Sequence, residues 1–159
     1  MKTNINEKPR AYKVIADNKK AYHDYFILET IEAGIALTGT EIKSIREGKV
    51  NLKDSYIRVH RGILELVKAD IAQYSHGNIY NHEPKRDRKL LVHKKQLLKL
   101  EQQIKREGLT LVPTKMYWSG SLVKVAIGVA KGKKMHDKRD VLSKKEVQRD
   151  IDRVLKNRR

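Results

Sequence analysis

Six histidines, thirty-six lysines and arginines, and nineteen carboxylates are the groups with which this 159-residue chain could do chemistry. His23, His60, His76, His82, His93 and His136 show neither the i, i+4 pairing of a helical metal pair nor the short loop spacing of zinc ligands. His76 and His82 lie six apart in a Gly-Asn loop, where a surface or RNA-contact role suits histidine better. There is no cysteine, which removes disulfides, zinc-thiolate sites, iron-sulfur clusters and thiol nucleophiles. Acid-base cleavage in the manner of a metal-free ribonuclease needs His and Lys brought together by folding. His93 and Lys94 are adjacent, but neighbours on a helix do not face each other. Gly128-Val129-Ala130-Lys131-Gly132-Lys133-Lys134 sets glycine beside lysine without the Walker spacing or the hydroxyl after the lysine. It reads as a strand end entering a basic tail. Asp137 and Asp140, among Lys134, Lys138 and Arg139, read as charge balance and not as a metal pair.

What remains is a binding surface. The formal net charge is +17, and so strong a field on so small a body points to a polyanion, above all nucleic acid. Pro84-Lys85-Arg86-Asp87-Arg88-Lys89 places four cations in six residues. It follows a polar stretch with Tyr74, His76, Tyr80 and His82, the mixture that phosphates and unstacked bases require. A solvated basic loop is the plain alternative. Lys43 and Arg46, one helical turn apart, and Lys49 just beyond could also reach phosphates. No run approaches the length of a membrane span, and the N-terminus lacks the apolar core of a leader.

These groups need elements to hold them. Tyr22 to Thr30 and Ala33 to Thr38 read as one hairpin about Ile31-Glu32. Ser55 to Arg61 and Ile63 to Ile71 form a second about Gly62, and Leu109 to Trp118 and Leu122 to Ala130 a third about Ser119-Gly120-Ser121. In the last strand Val123, Val125, Ile127 and Val129 share one face. Thr40 to Glu47 reads as a short helix with Ile42 and Ile45 on one side and Gly48 as its stop. Lys94 to Glu107 reads as a longer one with Leu97, Leu100 or Glu101, and Ile104 on one side and Gly108 at its end. The expected fold class is mainly β, a closed six-stranded antiparallel barrel of the oligonucleotide-binding (OB) type with two or three flanking α-helices and a basic C-terminal tail. Other small barrels are the alternative.

The expected organisation is a flexible segment over 1–17, an RNA-binding barrel over 18–130, and a tail over 131–159. The tail holds twelve basic and five acidic residues, a net of +7, with too few large apolar residues to build a core. Ser143-Lys144-Lys145-Glu146 is a capping box before Val147, Ile151, Val154 and Leu155, so a helix is encoded there. Alone it is marginal in water, which leaves two settings open: docking on the protein's own body, or folding on RNA.

Five blocks carry a resemblance: Asn18-Lys19-Lys20-Ala21-Tyr22-His23-Asp24-Tyr25-Phe26, Glu32-Ala33-Gly34-Ile35-Ala36-Leu37, Gly39-Thr40-Glu41-Ile42-Lys43-Ser44-Ile45-Arg46, Arg86-Asp87-Arg88-Lys89-Leu90-Leu91, and Gly128 through Lys131, Gly132 and Lys133 to Arg139. Together they make the chain resemble the SsrA-binding (small protein B) family of bacterial trans-translation. The resemblance implies a cytoplasmic, monomeric RNA-binding adaptor with no enzymatic activity, no cofactor, no metal and no membrane partner. It implies that the barrel grips the tRNA-like domain of transfer-messenger RNA, with contacts at Asn18, Glu32, Lys43, Arg46, Arg86, Arg88, Lys89 and Leu91. It implies delivery to the stalled 70S ribosome. There the tail residues Lys131, Gly132, Lys133, Lys134, His136, Asp137, Lys138, Arg139, Val154 and Leu155 would meet small-subunit ribosomal RNA at the decoding centre and in the empty messenger channel. A general single-stranded RNA-binding barrel or ribosomal protein, and an RNA-cleaving enzyme using His and Lys, are the competing readings.

Overall fold

The computed structural model describes residues 11–77, 79, 81–133 and 149. Its elements in chain order are β1 (Tyr12–Asp17), α1 (Lys19–Asp24), β2 (Tyr25–Ile35), α2 (Gly39–Arg46), β3 (Val50–Asn51), β4 (Tyr56–His60), β5 (Ile63–Val67), β6 (Asp70–Ile71), β7 (Arg88–Leu91), α3 (Lys94–Glu107), β8 (Thr110–Ser119) and β9 (Leu122–Gly132). The alternating valines and isoleucine of β9 generate the longest hairpin, β8 with β9, which turns at Gly120-Ser121 and holds register from Ser119↔Leu122 to Thr110↔Ala130. All pairings are antiparallel, and β8, β4, β5, β7, β2 and β9 follow one another until β9 meets β8 again, a ring of six strands. Strand β1 adds outside this ring, and β3 with β6 forms a separate two-stranded ribbon.

The ring is filled from inside by Leu64, Leu66, Leu90, Leu111, Met116, Val125, Ile127 and Val129, all nearly or wholly buried. Ile45 of α2 and Leu100 of α3 join this core, with Leu97 and Ile104 packed beside them. The expected faces of β9 and of α3 are therefore the observed ones. The hairpin about Gly62 is present as well, β4 to β5, with Arg61 and Gly62 both at positive φ as a tight two-residue turn demands.

The first expected hairpin is absent. Tyr25–Ile35 is one strand that pairs with β9 along its length and with β7 at Gly34 and Ile35. Ile31-Glu32 supplies no residue that reverses a chain, and Ile31 and Ala33 point inward around an exposed Glu32. Residues 22–24, expected as the start of that strand, instead complete α1, which Asn18 caps. The folded body also begins earlier than residue 18, since Tyr12–Asp17, expected in a flexible segment, pairs with β8.

Two bulges shape the ring. The register slips at Leu28, so Ile27 and Glu29 face opposite ways: Ile27 packs with Ala21, Val112 and Ala130, while Glu29 accepts from Lys99 Nζ at 3.1 Å. The register slips again at Thr114, whose hydroxyl donates to Ala126 O at 3.2 Å. That bulge presses onto Gly128, where an added Cβ would lie 2.8 Å from Thr114 Cγ2 and 3.3 Å from Ile27 Cδ1. Overpacking of this kind typically costs about 1–3 kcal/mol. Gly128→Ala should lower unfolding stability by that amount in a denaturant titration, and adding Thr114→Ser, which removes the clashing methyl and keeps the hydroxyl, should restore part of it.

Candidate nucleic-acid interface

Parity along β7 divides the basic segment before any RNA is considered. Arg88 and Leu90 take the inward positions, Lys89 and Leu91 the outward ones. Arg88 is fully buried. Its Nε donates to Glu41 Oε2 at 2.5 Å, Nη1 to Ala69 O at 2.7 Å and Nη2 to Pro84 O at 2.8 Å. Arg86 reaches the other oxygen of the same carboxylate through Nε at 3.1 Å and also through Nη2, and Nη2 lies 3.4 Å from Ala36 O. Glu41 is the N3 residue of α2, and Thr38 closes a capping box with it. One buried carboxylate thus accepts from two guanidiniums and from the Thr38 N–H. Burial pushes the Glu41 carboxyl up, but Arg86, Thr38 and Arg88 together outweigh it and hold it below the usual range. Arg88, expected at the RNA surface, is instead an internal strut. Arg86, one-third exposed, is committed to the same carboxylate.

Asn18 is a second expected contact that the fold uses internally. One edge of β8 is shared, with β4 pairing at Leu111 and β1 pairing from Lys115 to Ser119. Asn18 sits at the seam. Its backbone N–H donates to Thr114 O at 2.9 Å, its Nδ2 donates to Pro113 O at 2.8 Å, and its Oδ1 accepts from the Ala21 N–H. Buried carbonyls left between two strands need such a partner, and the side chain is almost wholly enclosed.

The outward-facing residues of the ring build a different surface. Direct cross-strand partners lie on one face, so Leu91, Gly34, Lys124, Tyr117 and Val14 form a row across β7, β2, β9, β8 and β1. Beside it run Glu32, Ala126, Lys115 and Asp17. Glu32 accepts from the Tyr117 hydroxyl at 2.5 Å and lies 4.0 Å from Lys124 Nζ. Burial first, and then this bond to a carboxylate, raises the Tyr117 phenol, which therefore stays a donor. Tyr12 stacks obliquely on Tyr117 with ring centres 5.0 Å apart, and Lys115 Nζ lies 5.1 Å from the Tyr12 ring centre. Leu91 is half exposed beside Gly34, whose absent side chain opens a shallow cleft toward Trp118, Leu122 and Lys124. The expected residues Glu32 and Leu91 meet here. Lys124, Lys115, Tyr117 and Tyr12 were not anticipated, although Lys124 is the one cation in the apolar run from Val123 to Val129 and takes its outward parity.

Lys43 and Arg46 are exposed on α2, and Lys43 Nζ stands 5.3 Å over the Tyr74 ring, which meets His76 edge-on. Lys89 is exposed and faces Glu65 across β5. His82 is buried, its Nε2 donating to Ile71 O at 2.8 Å while its Nδ1 lies 2.9 Å from the Thr40 hydroxyl, so it ties α2 to β6. No group of three or more His, Asp or Glu among the described residues is placed to hold a metal, and no helix among them is long and apolar enough to cross a membrane. Lys131 and Gly132 end β9 opposite Phe26 and Tyr25. Lys133 N–H donates to Asp24 O at 2.9 Å, and its Nζ donates to Tyr22 O at 3.1 Å. Tyr80, Lys134, His136, Asp137, Lys138, Arg139, Val154, Leu155 and, Arg149 apart, the capped segment from Ser143 lie outside the described residues.

Removing one partner of a buried ion pair costs about 3–5 kcal/mol, so Glu41→Gln should destabilise the protein by that order in a denaturant titration. The depressed carboxyl also fixes a pH signature. The stability it contributes is complete above its unfolded pKa of about 4.3 and is lost as pH falls through the lower folded value. Titrating stability below pH ~5 should show an acid-side loss that is flattened in Glu41→Gln.

The model of the SmpB protein family matches residues 15–157. The SsrA-binding protein of Carboxydothermus hydrogenoformans is 53% identical over 146 residues, 92% of this chain and 98% of that protein. That of Trichormus variabilis is 52% identical over 154 residues, 96% and 99% of the two chains. A solved structure described as "tmRNA-SmpB: a journey to the center of the bacterial ribosome" superposes with a TM-score of 0.64 at 45% identity, over 80% of this chain and 93% of its own. A match spanning the ring, the Glu41 ion pair and the outward row means that this chain belongs to the SmpB family, the SsrA-binding proteins.

Proposed function

We propose that this chain is a non-enzymatic RNA-binding adaptor that grips the tRNA-like domain of transfer-messenger RNA and carries it to stalled ribosomes for trans-translation. We read its ring of six strands as a closed OB-type barrel, whose outer wall is the gripping surface. The observation that carries the reading is the row Leu91, Gly34, Lys124 and Tyr117 with Glu32 beside it. With Lys115, Tyr12 and Asp17 next to them, these residues set an exposed apolar side chain, two lysines, an aromatic pair and two carboxylates on a rigid sheet. Cations meet phosphates, aromatic rings meet unstacked bases, and a carboxylate accepts only from a base or sugar donor. Lys43, Arg46 and Lys89 supply further positive charge, while Asn18, Arg86 and Arg88 act by holding the elements in place. The protein acts in the cytoplasm as a monomer.

The tail, residues 134–159 beyond the Lys133 anchor, then tests the messenger path at the decoding centre. A basic segment pays ordering entropy that a channel lined with ribosomal RNA phosphates offsets, and an occupied channel excludes it.

Binding of the full chain, of Lys124→Ala and of a chain ending at Lys133 should be measured on the tRNA-like domain and on an unstructured RNA across a salt series. The full chain and the shortened chain should prefer the folded RNA even at high salt. Lys124→Ala should lose about tenfold in affinity for it, one charge-assisted contact of ~1.4 kcal/mol. The shortened chain should fail to support tagging on stalled ribosomes. Loss of the preference at high salt would make the protein a general single-stranded RNA binder. Cleavage of RNA that disappears in His→Ala variants would make it an enzyme.

A further inference from the structure

We propose that the cleft between α3 and the β4–β5 hairpin is a docking groove for an acidic peptide segment of a partner protein, one that carries a bulky apolar side chain. The cleft encloses about 460 Å³, room for one or two large side chains, and shares no residue with the outward row across β7, β2, β9, β8 and β1. Its floor is aliphatic: Ile57, Val59, Ile104, Leu109 and Leu111. It contains no aromatic ring, so an unstacked base finds no platform there, whereas apolar anchors of a peptide are buried well by such a floor.

The rim selects the sign of the partner. Arg58, Arg61 and Lys105 border the cleft with Glu101 as the one carboxylate among its lining residues. Arg58 is held by Glu65 and Asp87, whereas Arg61 and Lys105 form no ion pair among the described residues. Arg61 also occupies the first turn position at φ 51°, where Asn, Asp or Gly is favoured, so the hairpin tip carries positive charge against its conformational preference. Two unpaired cations over an aliphatic floor complement Asp or Glu flanking an apolar anchor. The protein's own tail, at +7, has the wrong sign to be the occupant.

The test is methyl-labelled NMR of the full chain titrated with a short synthetic peptide holding Leu-Phe between Asp and Glu residues. The same peptide with Lys and Arg flanks and a uridine oligonucleotide are run in parallel. Saturable shifts of the Ile57, Val59, Ile104, Leu109 and Leu111 methyls with the acidic peptide alone are expected. Arg61→Asp with Lys105→Glu should weaken that binding about tenfold and leave affinity for the tRNA-like domain unchanged, which separates this site from the RNA face. Silence of these methyls toward the acidic peptide overturns the proposal, as does an equal response to the basic one. A response to the oligonucleotide assigns the cleft to RNA instead. A change of the same methyls in full-length Ile151→Ser, Leu155→Ser, without any peptide, assigns it to the tail.

Discussion

A single carboxylate fastens α2 to the short strand that completes the ring. Glu41 enters from the first turn of α2 and accepts from Arg88 on β7 and Arg86 just before it. Through Arg88 the same cluster satisfies Ala69 O and Pro84 O. The 36–41 segment, the start of β6, the 84–88 loop and β7 are thereby fastened at one point. A carboxylate withdrawn from water tolerates burial only when charge and hydrogen bonds both compensate it, and here both do. The arrangement leaves little freedom, because displacing any one member strands a charge in the interior.

The position of β7 decides whether the ring closes. Four residues long, it must bridge β5 on one side and β2 on the other, and it meets β2 only at Gly34 and Ile35. The inward arginine draws β7 down onto Glu41, and Leu91 packs over Gly34. The outward row that results is a consequence of the internal ion pair. Leu91 stands next to Lys124 because Arg88 points the other way. Asn18 plays the corresponding part at the other end of the row, seating β1 on β8 so that Val14 and Tyr12 extend the surface.

Much of this was legible in sequence where one residue type has one dominant use. The alternation of β9, the inward face of α3, the Gly62 turn and the glycine stops of two helices follow from local sterics and periodicity, and each stands where expected. The hairpin about Ile31-Glu32 failed because its proposed turn had no turn residue, so strand propensity ran through it. Helix α1 and β1 were hidden because their stabilisation is long-range: an amide bonded to a strand 95 residues away, and a register against β8. Arg88 was misplaced for a related reason. A basic run reads as surface unless period-two parity is applied to it, and parity alone does not reveal that a glutamate waits inside.

By itself the chain determined its charge, its lack of thiol chemistry, the hairpins about Gly62 and Gly120 and, through long ordered blocks, its resemblance to the SsrA-binding family. All of these reside in residue identity and near-neighbour spacing, which folding does not alter. Only the tertiary structure decided which cations are presented on the outer face of the ring and which are committed to its interior. That division depends on which strands close the ring and which face each side chain takes there. An arginine paired inside and a lysine presented outside are alike in sequence and differ in surroundings once a sheet has given them different sides.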